Sequence, residues 1–184
     1  MLKGHPKGLI SAALSNMGER FGYYIMNAVL TLFLCSKFGL SDATAAIIYS
    51  CFYCGIYILS LVGGIIADKT QNYKGTIQKG LLTMAAGYIL LAIPITATSA
   101  NTSWLLPLTC FALLMIAFGN GLFKGNLQAI VGQMYDNFEA EEAKRGPGAL
   151  KRAKEKRDSG FQIFCVFINI GGLLAPFVAP LIRS

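Results

Sequence analysis

Five long apolar stretches follow one another along the chain, separated by polar or glycine-containing segments. They cover residues 8–36, 44–67, 76–98, 104–133 and 160–182. Each stretch is near or above the ~20 residues that a helix needs to cross roughly 30 Å of hydrocarbon. The pattern therefore predicts an all-α membrane protein with five transmembrane helices.

The connecting segments predict the orientation of the chain in the membrane. Segments 37–42 and 99–103 carry little charge, whereas most of the sixteen basic residues lie at the N-terminus, between the second and third helices, and in segment 135–158. Basic residues concentrate on the cytoplasmic side of membrane proteins. We therefore expect a multi-pass protein of the cell (inner) membrane, with Lys3 and the charged loop 135–158 in the cytoplasm and Arg183 outside.

The composition supports a lipid bilayer as the environment of the chain. The 184 residues are 54% hydrophobic and 14% charged, whereas a soluble domain carries roughly a quarter charged residues. The formal net charge of +7 is compatible with nucleic-acid binding, but no basic face interleaved with aromatic residues accompanies it. We therefore exclude a nucleic-acid partner.

The cysteine and histidine residues do not predict a metal site, a cofactor or a catalytic centre. Cys51 and Cys54 form a C-x-x-C pair, but no second pair accompanies it, and all five cysteines lie in or beside apolar runs. Small buried side chains are therefore expected at these positions. The single His5 lies beside Pro6 in the N-terminal tail, where we expect it to be solvated. A membrane enzyme is the remotest of the alternatives.

The first apolar stretch carries two charges where charges are costly. An ionised residue at the centre of a membrane helix costs about 2.5–3.5 kcal/mol on insertion scales, and such residues usually face a cavity or the bundle interior. Glu19 and Arg20 lie well inside this stretch. At 3.6 residues per turn, they fall on or beside a polar stripe formed by Asn16, Arg20, Tyr23, Tyr24 and Asn27. The stripe is expected to line a cavity.

The later helices contribute further polar residues. Tyr49 is typical of an aromatic residue at the membrane interface. Tyr57 lies nearer the middle of the membrane, where a phenol needs a hydrogen-bond partner, and it is the better candidate to line the cavity. Lys124 is a second intramembrane cation, which either snorkels to the interface or pairs with Glu19 across a cavity. Asn169 is either a hydrogen-bonding contact between helices or a ligand contact.

Four segments together resemble the signature motifs of the proton-dependent oligopeptide transporters, a branch of the major facilitator superfamily. Residues 19–24 resemble the motif E-x-x-E-R-F-x-Y-Y. Residues 63–69 look like the loop motif after the second helix of the superfamily. Residues 119–126 resemble G-x-G-x-x-K-P-N, and residues 164–171 resemble F-Y-x-x-I-N-x-G. The matches occur in the expected order across almost the whole chain.

The resemblance implies a complete protein of two six-helix bundles around a central cavity that opens alternately to each side. This chain would supply five helices of the N-terminal bundle, and the C-terminal bundle of the same transporter would be its partner. The resemblance also implies the import of di- and tripeptides driven by protons. Proton coupling is then assigned to Glu19, Arg20 and Lys124.

The remaining site residues fall into two groups. The substrate-binding group is Tyr24, Asn27, Tyr57, Lys124 and Asn169. The structural-motif group is Gly64, Asp68, Gly121 and Gly125, of which the last two form a G-x-x-x-G that predicts the close approach of another helix. No cofactor and no metal are expected.

The chain departs from the family pattern at positions that bear on coupling. Asn16 stands in place of the first glutamate of the motif, and Asn27 stands where the family often has arginine. One acid and one base are thus exchanged for neutral amides, which leaves the cavity charge unchanged. Two alternatives to a peptide symporter follow: a transporter of another small solute with altered coupling, or a truncated membrane component that does not transport.

Overall fold

The computed structural model describes residues 4–183, and it places all of its regular structure in five helices. These are α1 (Leu9–Phe38), α2 (Asp42–Thr70), α3 (Tyr73–Leu91), α4 (Thr102–Ala143) and α5 (Pro147–Arg183). The predicted all-α class is confirmed for this range. Lys3 and the side chain of Arg183, which supported the predicted orientation, lie outside the described residues. Helices α1, α2, α4 and α5 are long and apolar enough to cross a membrane.

The third helix is shorter than the predicted segment 76–98. Helix α3 ends at Leu91, and residues 92–98 are not helical. Pro94 explains the early end, because it has no backbone N–H and disfavours helical geometry at the preceding residue. The 19 residues of α3 span only about 28 Å.

The charged segment 135–158, predicted as a cytoplasmic loop with a helical turn or two at residues 151–157, is helical on both sides of residues 144–146. Helix α4 runs on to Ala143, and α5 already begins at Pro147. The glutamate, lysine, arginine and alanine residues of the segment are good helix formers. The turn between the helices depends on Gly146, whose φ is +120°. Pro147 then occupies the first helical position, where its missing N–H costs nothing.

The described residues form two compact units. One unit comprises residues 4–28 and 127–183, and the other comprises Val29–Asn126. Helices α1 and α4 therefore contribute residues to both units.

In the unit Val29–Asn126, helix α4 packs tightly against α2 and α3 through glycines. A Cβ added at Gly121 would lie 2.5 Å from the backbone of Leu59 on α2, and one at Gly119 would lie 2.5 Å from the carbonyl oxygen of Gly80 on α3. Such distances leave no room for a side chain. Ala112, Ile116 and Phe123 of α4 are buried beside these contacts.

The close contact between α2 and α4 involves only the first glycine of the predicted G-x-x-x-G pair. It joins Gly63 to Gly121, because a Cβ on Gly63 would collide with the backbone of Gly121. A Cβ on Gly64 or Gly125 would meet no atom within 4 Å. The G-x-x-x-G spacing therefore identified one contacting glycine, and the second belongs to the neighbouring helix.

In the other unit, α5 packs against α1 and against the second part of α4. Gly171 of α5 lies against the backbone of Met17, and Gly160 lies against the phenol of Tyr135. The side chains of Tyr135 and Phe164 are fully buried there. These contacts place the polar part of α1 beside α5.

Candidate functional site

The two charges of the first apolar stretch form a buried ion pair. Arg20 Nε lies 2.5 Å from Glu19 Oε2, and a second guanidinium nitrogen lies 2.7 Å from Oε1. The side chains are only 5% exposed for Glu19 and 10% exposed for Arg20. Two parallel charge-assisted hydrogen bonds make this pair strong and geometrically specific. The Arg20 guanidinium also lies 4.7 Å from the ring centroid of Tyr23.

The rest of the α1 stripe differs in burial from one residue to the next. Asn16 is buried, whereas Tyr24 is 42% exposed. The side-chain oxygen of Asn27 is buried and has no hydrogen-bond partner among the described residues. Since buried polar atoms are normally hydrogen-bonded, this oxygen is an exception among the polar atoms of α1.

Tyr24 lies against α5, near the predicted ligand residue of that helix. A Cβ added at Gly172 would lie 3.1 Å from the Tyr24 ring. Asn169 precedes Gly172 by three residues, which is about one helical turn, and its side chain is exposed. The structure thus places Tyr24 and Asn169 in the same unit on adjoining helices.

In the unit Val29–Asn126, two predicted substrate residues are in direct contact. The ammonium of Lys124 lies 4.6 Å from the ring centroid of Tyr57, which is the geometry of a cation–π interaction. Tyr57 is 52% exposed, and Lys124 is partly exposed. The two predicted substrate residues therefore lie close enough to contact the same ligand.

The predicted cluster of Glu19, Arg20 and Lys124 is divided between the two units. The ion pair belongs to one unit, and Lys124 belongs to the other. The proximity of Lys124 to the pair stays a prediction.

Asp68 of the loop motif forms a local contact. The hydroxyl of Tyr73 donates a hydrogen bond to Asp68 Oδ1 at 2.7 Å. This hydrogen bond raises the pKa of Tyr73 above its usual value, since losing the proton would remove the bond and place two negative charges side by side. The contact links the end of α2 to the beginning of α3.

Sequence reasoning assigned no role to Asn126, which is buried between helices. Its side-chain nitrogen donates to the carbonyl oxygen of Gly63 at 3.1 Å and to that of Leu122 at 2.8 Å. A polar residue inside an apolar helix, four or five residues from a small-residue contact, is the signal that could have identified it.

His5 is not the solvated tail residue that was expected. Its Nδ1 lies 2.6 Å from the hydroxyl of Tyr135, and its side chain is half-buried. Tyr135 is fully buried, so its hydroxyl requires a hydrogen-bond partner. The N-terminal segment is thereby attached to α4.

The cysteines also differ from the expectation of small buried side chains. All five are free thiols, and Cys51, Cys54, Cys110 and Cys165 are exposed. The surface of a membrane helix contacts lipid, so an apolar side chain need not be buried in protein to avoid water. Within residues 4–183, no group of three or more His, Cys, Asp or Glu side chains is placed to hold a metal ion.

Comparison with protein families identifies the chain. Residues 74–184 match the POT family, which is more than half of the sequence. The chain belongs to the POT family. The resemblance inferred from the four motifs is confirmed, and with it the major-facilitator type of fold.

Individual relatives agree with this assignment. An uncharacterized transporter, YclF, of Bacillus subtilis (strain 168) is 32% identical over 180 residues, covering 95% of this chain and 32% of the relative. A di-/tripeptide transporter of Lactococcus lactis subsp. lactis (strain IL1403) is 31% identical over 182 residues, with the same two coverages. These relatives are transporters, and four helices of the present chain can span a membrane. The chain therefore belongs to a family of multi-pass membrane proteins.

Solved structures of POT proteins share the fold. A crystal structure of a peptide transporter POT matches with a TM-score of 0.75 and 34% identity, covering 97% of this chain and 33% of that one. A bacterial homologue of the human drug peptide transporters matches with a TM-score of 0.71 and 28% identity, covering 91% of this chain and 32% of that one. The chain thus spans about a third of the length of its relatives.

Proposed function

We propose that this chain forms the N-terminal part of a proton-coupled symporter that imports di- and tripeptides across the cell (inner) membrane. It is proposed to be a transporter rather than an enzyme, with its N-terminus in the cytoplasm and its partner bundle supplied by the same transporter. The observation that carries the proposal is the buried pair of Glu19 and Arg20 inside a membrane-spanning helix. Charges are retained there, despite their cost, when they bind ions or substrates.

The ion pair suits proton coupling because a proton on Glu19 changes what Arg20 can bind. In the ionised state, the carboxylate accepts both hydrogen bonds of the guanidinium. Protonation of Glu19 from outside neutralises its carboxylate and weakens the pair, and an acid of the partner bundle is the alternative site for the proton. Arg20 and Lys124 then attract the carboxylate of a peptide. Binding of peptide and proton is thereby coupled.

The remaining residues suit the uncharged part of a peptide. The phenols of Tyr24 and Tyr57 can donate hydrogen bonds to peptide carbonyl groups or accept them from N–H groups. The amides of Asn27 and Asn169 can do both at once. The unpartnered oxygen of Asn27 is suited to a peptide N–H or to the terminal ammonium.

The test is uptake of a labelled dipeptide by the full-length transporter in proteoliposomes. With an inward proton gradient, Glu19→Gln and Lys124→Ala should abolish accumulation above equilibrium. Exchange of labelled for unlabelled dipeptide without a gradient separates the roles: Glu19→Gln should retain exchange, and Lys124→Ala should lose it. Matched controls are Glu155→Gln and Lys154→Ala, which change exposed residues of the charged segment. Unchanged accumulation in both cavity variants would refute the proposal.

A second candidate function is the transport of another small solute with altered coupling. It is favoured by the neutral pair Asn16 and Asn27, which removes one titratable group from the family pattern. A competition panel of dipeptides, nitrate and peptide-like metabolites decides between the two. Inhibition of labelled uptake by dipeptides alone supports the peptide symporter.

A further inference from the structure

Three tyrosines of α2 form a continuous aromatic surface, which we call the tyrosine ladder: Tyr49, Tyr53 and Tyr57. The rings of Tyr49 and Tyr53 are stacked, with centroids 6.1 Å apart and an interplanar angle of 17°. The rings of Tyr53 and Tyr57 have centroids 5.1 Å apart at an angle of 59°. Their hydroxyl oxygens lie 3.1 Å apart, so one donates a hydrogen bond to the other.

Two rings of the ladder are exposed although it lies within a membrane-spanning helix, whereas Tyr49 is half-buried. Tyr53 is 39% exposed and Tyr57 is 52% exposed. An interfacial aromatic belt accounts for a tyrosine at the end of a span, but it does not account for tyrosines on three successive turns. Each step of four residues advances about 6 Å along the helix, so the ladder extends towards the middle of the bilayer. Hydroxyl groups at that depth favour an aqueous cavity over lipid.

The ladder begins at a positive charge. The Lys124 ammonium lies 4.6 Å from the Tyr57 centroid, and the rings of Tyr53 and Tyr49 continue from Tyr57 towards the beginning of α2. A ligand that places a carboxylate on Lys124 therefore has an aromatic surface immediately beside that carboxylate. In a peptide, the side chain of the C-terminal residue is attached to the carbon atom that carries the terminal carboxylate.

We propose that the tyrosine ladder is a subsite for an aromatic side chain at the C-terminus of the transported peptide, and that Tyr53 is its selecting residue. This inference rests on the proposed function, because it takes Lys124 as the site of the carboxylate. Tyr53 contributes its ring to the subsite, and its hydroxyl orients the phenol of Tyr57. A helix of the partner bundle or a lipid chain would be a different occupant of the same face.

The test measures kcat/KM for Ala-Phe and Ala-Ala in proteoliposomes that contain the full-length transporter. The unchanged protein should prefer Ala-Phe. Tyr53→Leu removes the ring and should lower the ratio of the two values by about five-fold, since an aromatic pair contributes modestly beyond its buried area. Tyr53→Phe keeps the ring and should keep the ratio, with a higher KM for both peptides. Phe111→Leu is the matched control, because it removes an exposed aromatic ring on α4 and should leave both values unchanged.

Each remaining outcome overturns a specific statement. If Tyr53→Leu transports both peptides with the wild-type ratio, the subsite is wrong and the proposed function stands. If it loses both peptides in equal proportion, Tyr53 contacts another helix and the subsite is again wrong. Tyr49→Leu gives a second measurement of the ratio should Tyr53→Leu fail to fold. Absence of uptake of either peptide by the unchanged protein overturns the subsite and the proposed function together.

Discussion

The side-chain amide of Asn126 on α4 donates a hydrogen bond to the backbone carbonyl of Gly63 on α2, where the two helices are in close contact. The nitrogen and oxygen atoms are 3.1 Å apart, and Asn126 is 2% exposed. Gly63 permits the close approach because a Cβ at this position would collide with the backbone of Gly121. Small residues and interhelical hydrogen bonds are the main sources of helix association in lipid. This contact between α2 and α4 combines a small residue with an interhelical hydrogen bond.

Gly63→Ala should destabilise the protein by about 1–3 kcal/mol, because the added methyl group meets backbone atoms that cannot rotate away. Gly64→Ala is the matched control, since a Cβ there has no neighbour within 4 Å. Thermal unfolding in detergent should show a lower Tm for the first variant and an equal or higher Tm for the second. Equal losses in both would contradict the close contact at Gly63.

Asn126→Leu should lower stability by about 0.6 kcal/mol and at most by ~1.7 kcal/mol, which is the range measured for interhelical hydrogen bonds in membrane proteins. The substitution leaves the carbonyl of Gly63 without its side-chain donor. Gln128→Leu changes an exposed amide two residues away and should have little effect in the same unfolding measurement. A Gln128 variant as unstable as the Asn126 variant would show that amide loss on α4 is costly wherever it occurs.

Under the proposed function, Arg20→Lys should reduce peptide uptake by at least about ten-fold, although the positive charge is kept. The guanidinium makes two parallel hydrogen bonds to Glu19, and an ammonium cannot reproduce this bidentate geometry. A hydrogen bond to a charged group contributes roughly 1.5–3 kcal/mol, which corresponds to the expected loss. Arg152→Lys, at an exposed position of α5, should transport normally. Full activity of the Arg20 variant would mean that charge alone suffices.

Arg157→Ala should weaken the contact between α4 and α5 near the charged turn. Arg157 donates to Asp136 Oδ1 at 2.6 Å and lies 3.4 Å from Glu139 Oε1. Because the Arg157 and Asp136 side chains are 34% and 62% exposed, the expected cost is only about 0.2–1 kcal/mol, and it should shrink at high salt. A double-mutant cycle with Asp136→Ala measures the pairwise energy, and Arg152→Ala is the control. A coupling energy of zero at low salt would contradict the pair.

The phenol of Tyr73 should titrate above its usual pH, because its hydrogen bond to Asp68 raises its pKa. A folded-state pKa above the unfolded value means that the contribution to stability is present below about pH 10. It is lost as the pH rises through the folded-state pKa. Asp68→Asn should move the phenolate absorbance of one tyrosine to lower pH, and Tyr73→Phe should remove that tyrosine from the titration. A titration curve that Asp68→Asn leaves unchanged would contradict the contact.

Several features of this protein could be predicted from the sequence because they are local. Apolar stretches of sufficient length predict membrane helices, since burial in lipid is decided segment by segment. Glu19 and Arg20 could be identified as functional candidates because a charge in an apolar stretch is costly whatever surrounds it. Pro94 and Gly146 also act locally, and Pro94 predicts that α3 ends before residue 94 rather than at residue 98. The extent of helix in the charged segment 135–158 was underestimated, because its polarity indicated a loop with only a helical turn or two at residues 151–157, whereas its residues favour helix.

The tertiary structure decided which faces meet. The spacing of Gly121 and Gly125 indicated a close contact with another helix. The spacing of residues within one segment cannot show, however, that the residue in contact with Gly121 is Gly63. The three tyrosines of the ladder lie on one face of α2 because they are spaced four residues apart. The contact of the ladder with Lys124, in contrast, depends on how α4 packs against α2. Helix formation and insertion depend on each segment and the lipid around it. Contacts between helices depend on the distance of approach and on matching groups on both surfaces, which only the folded chain specifies.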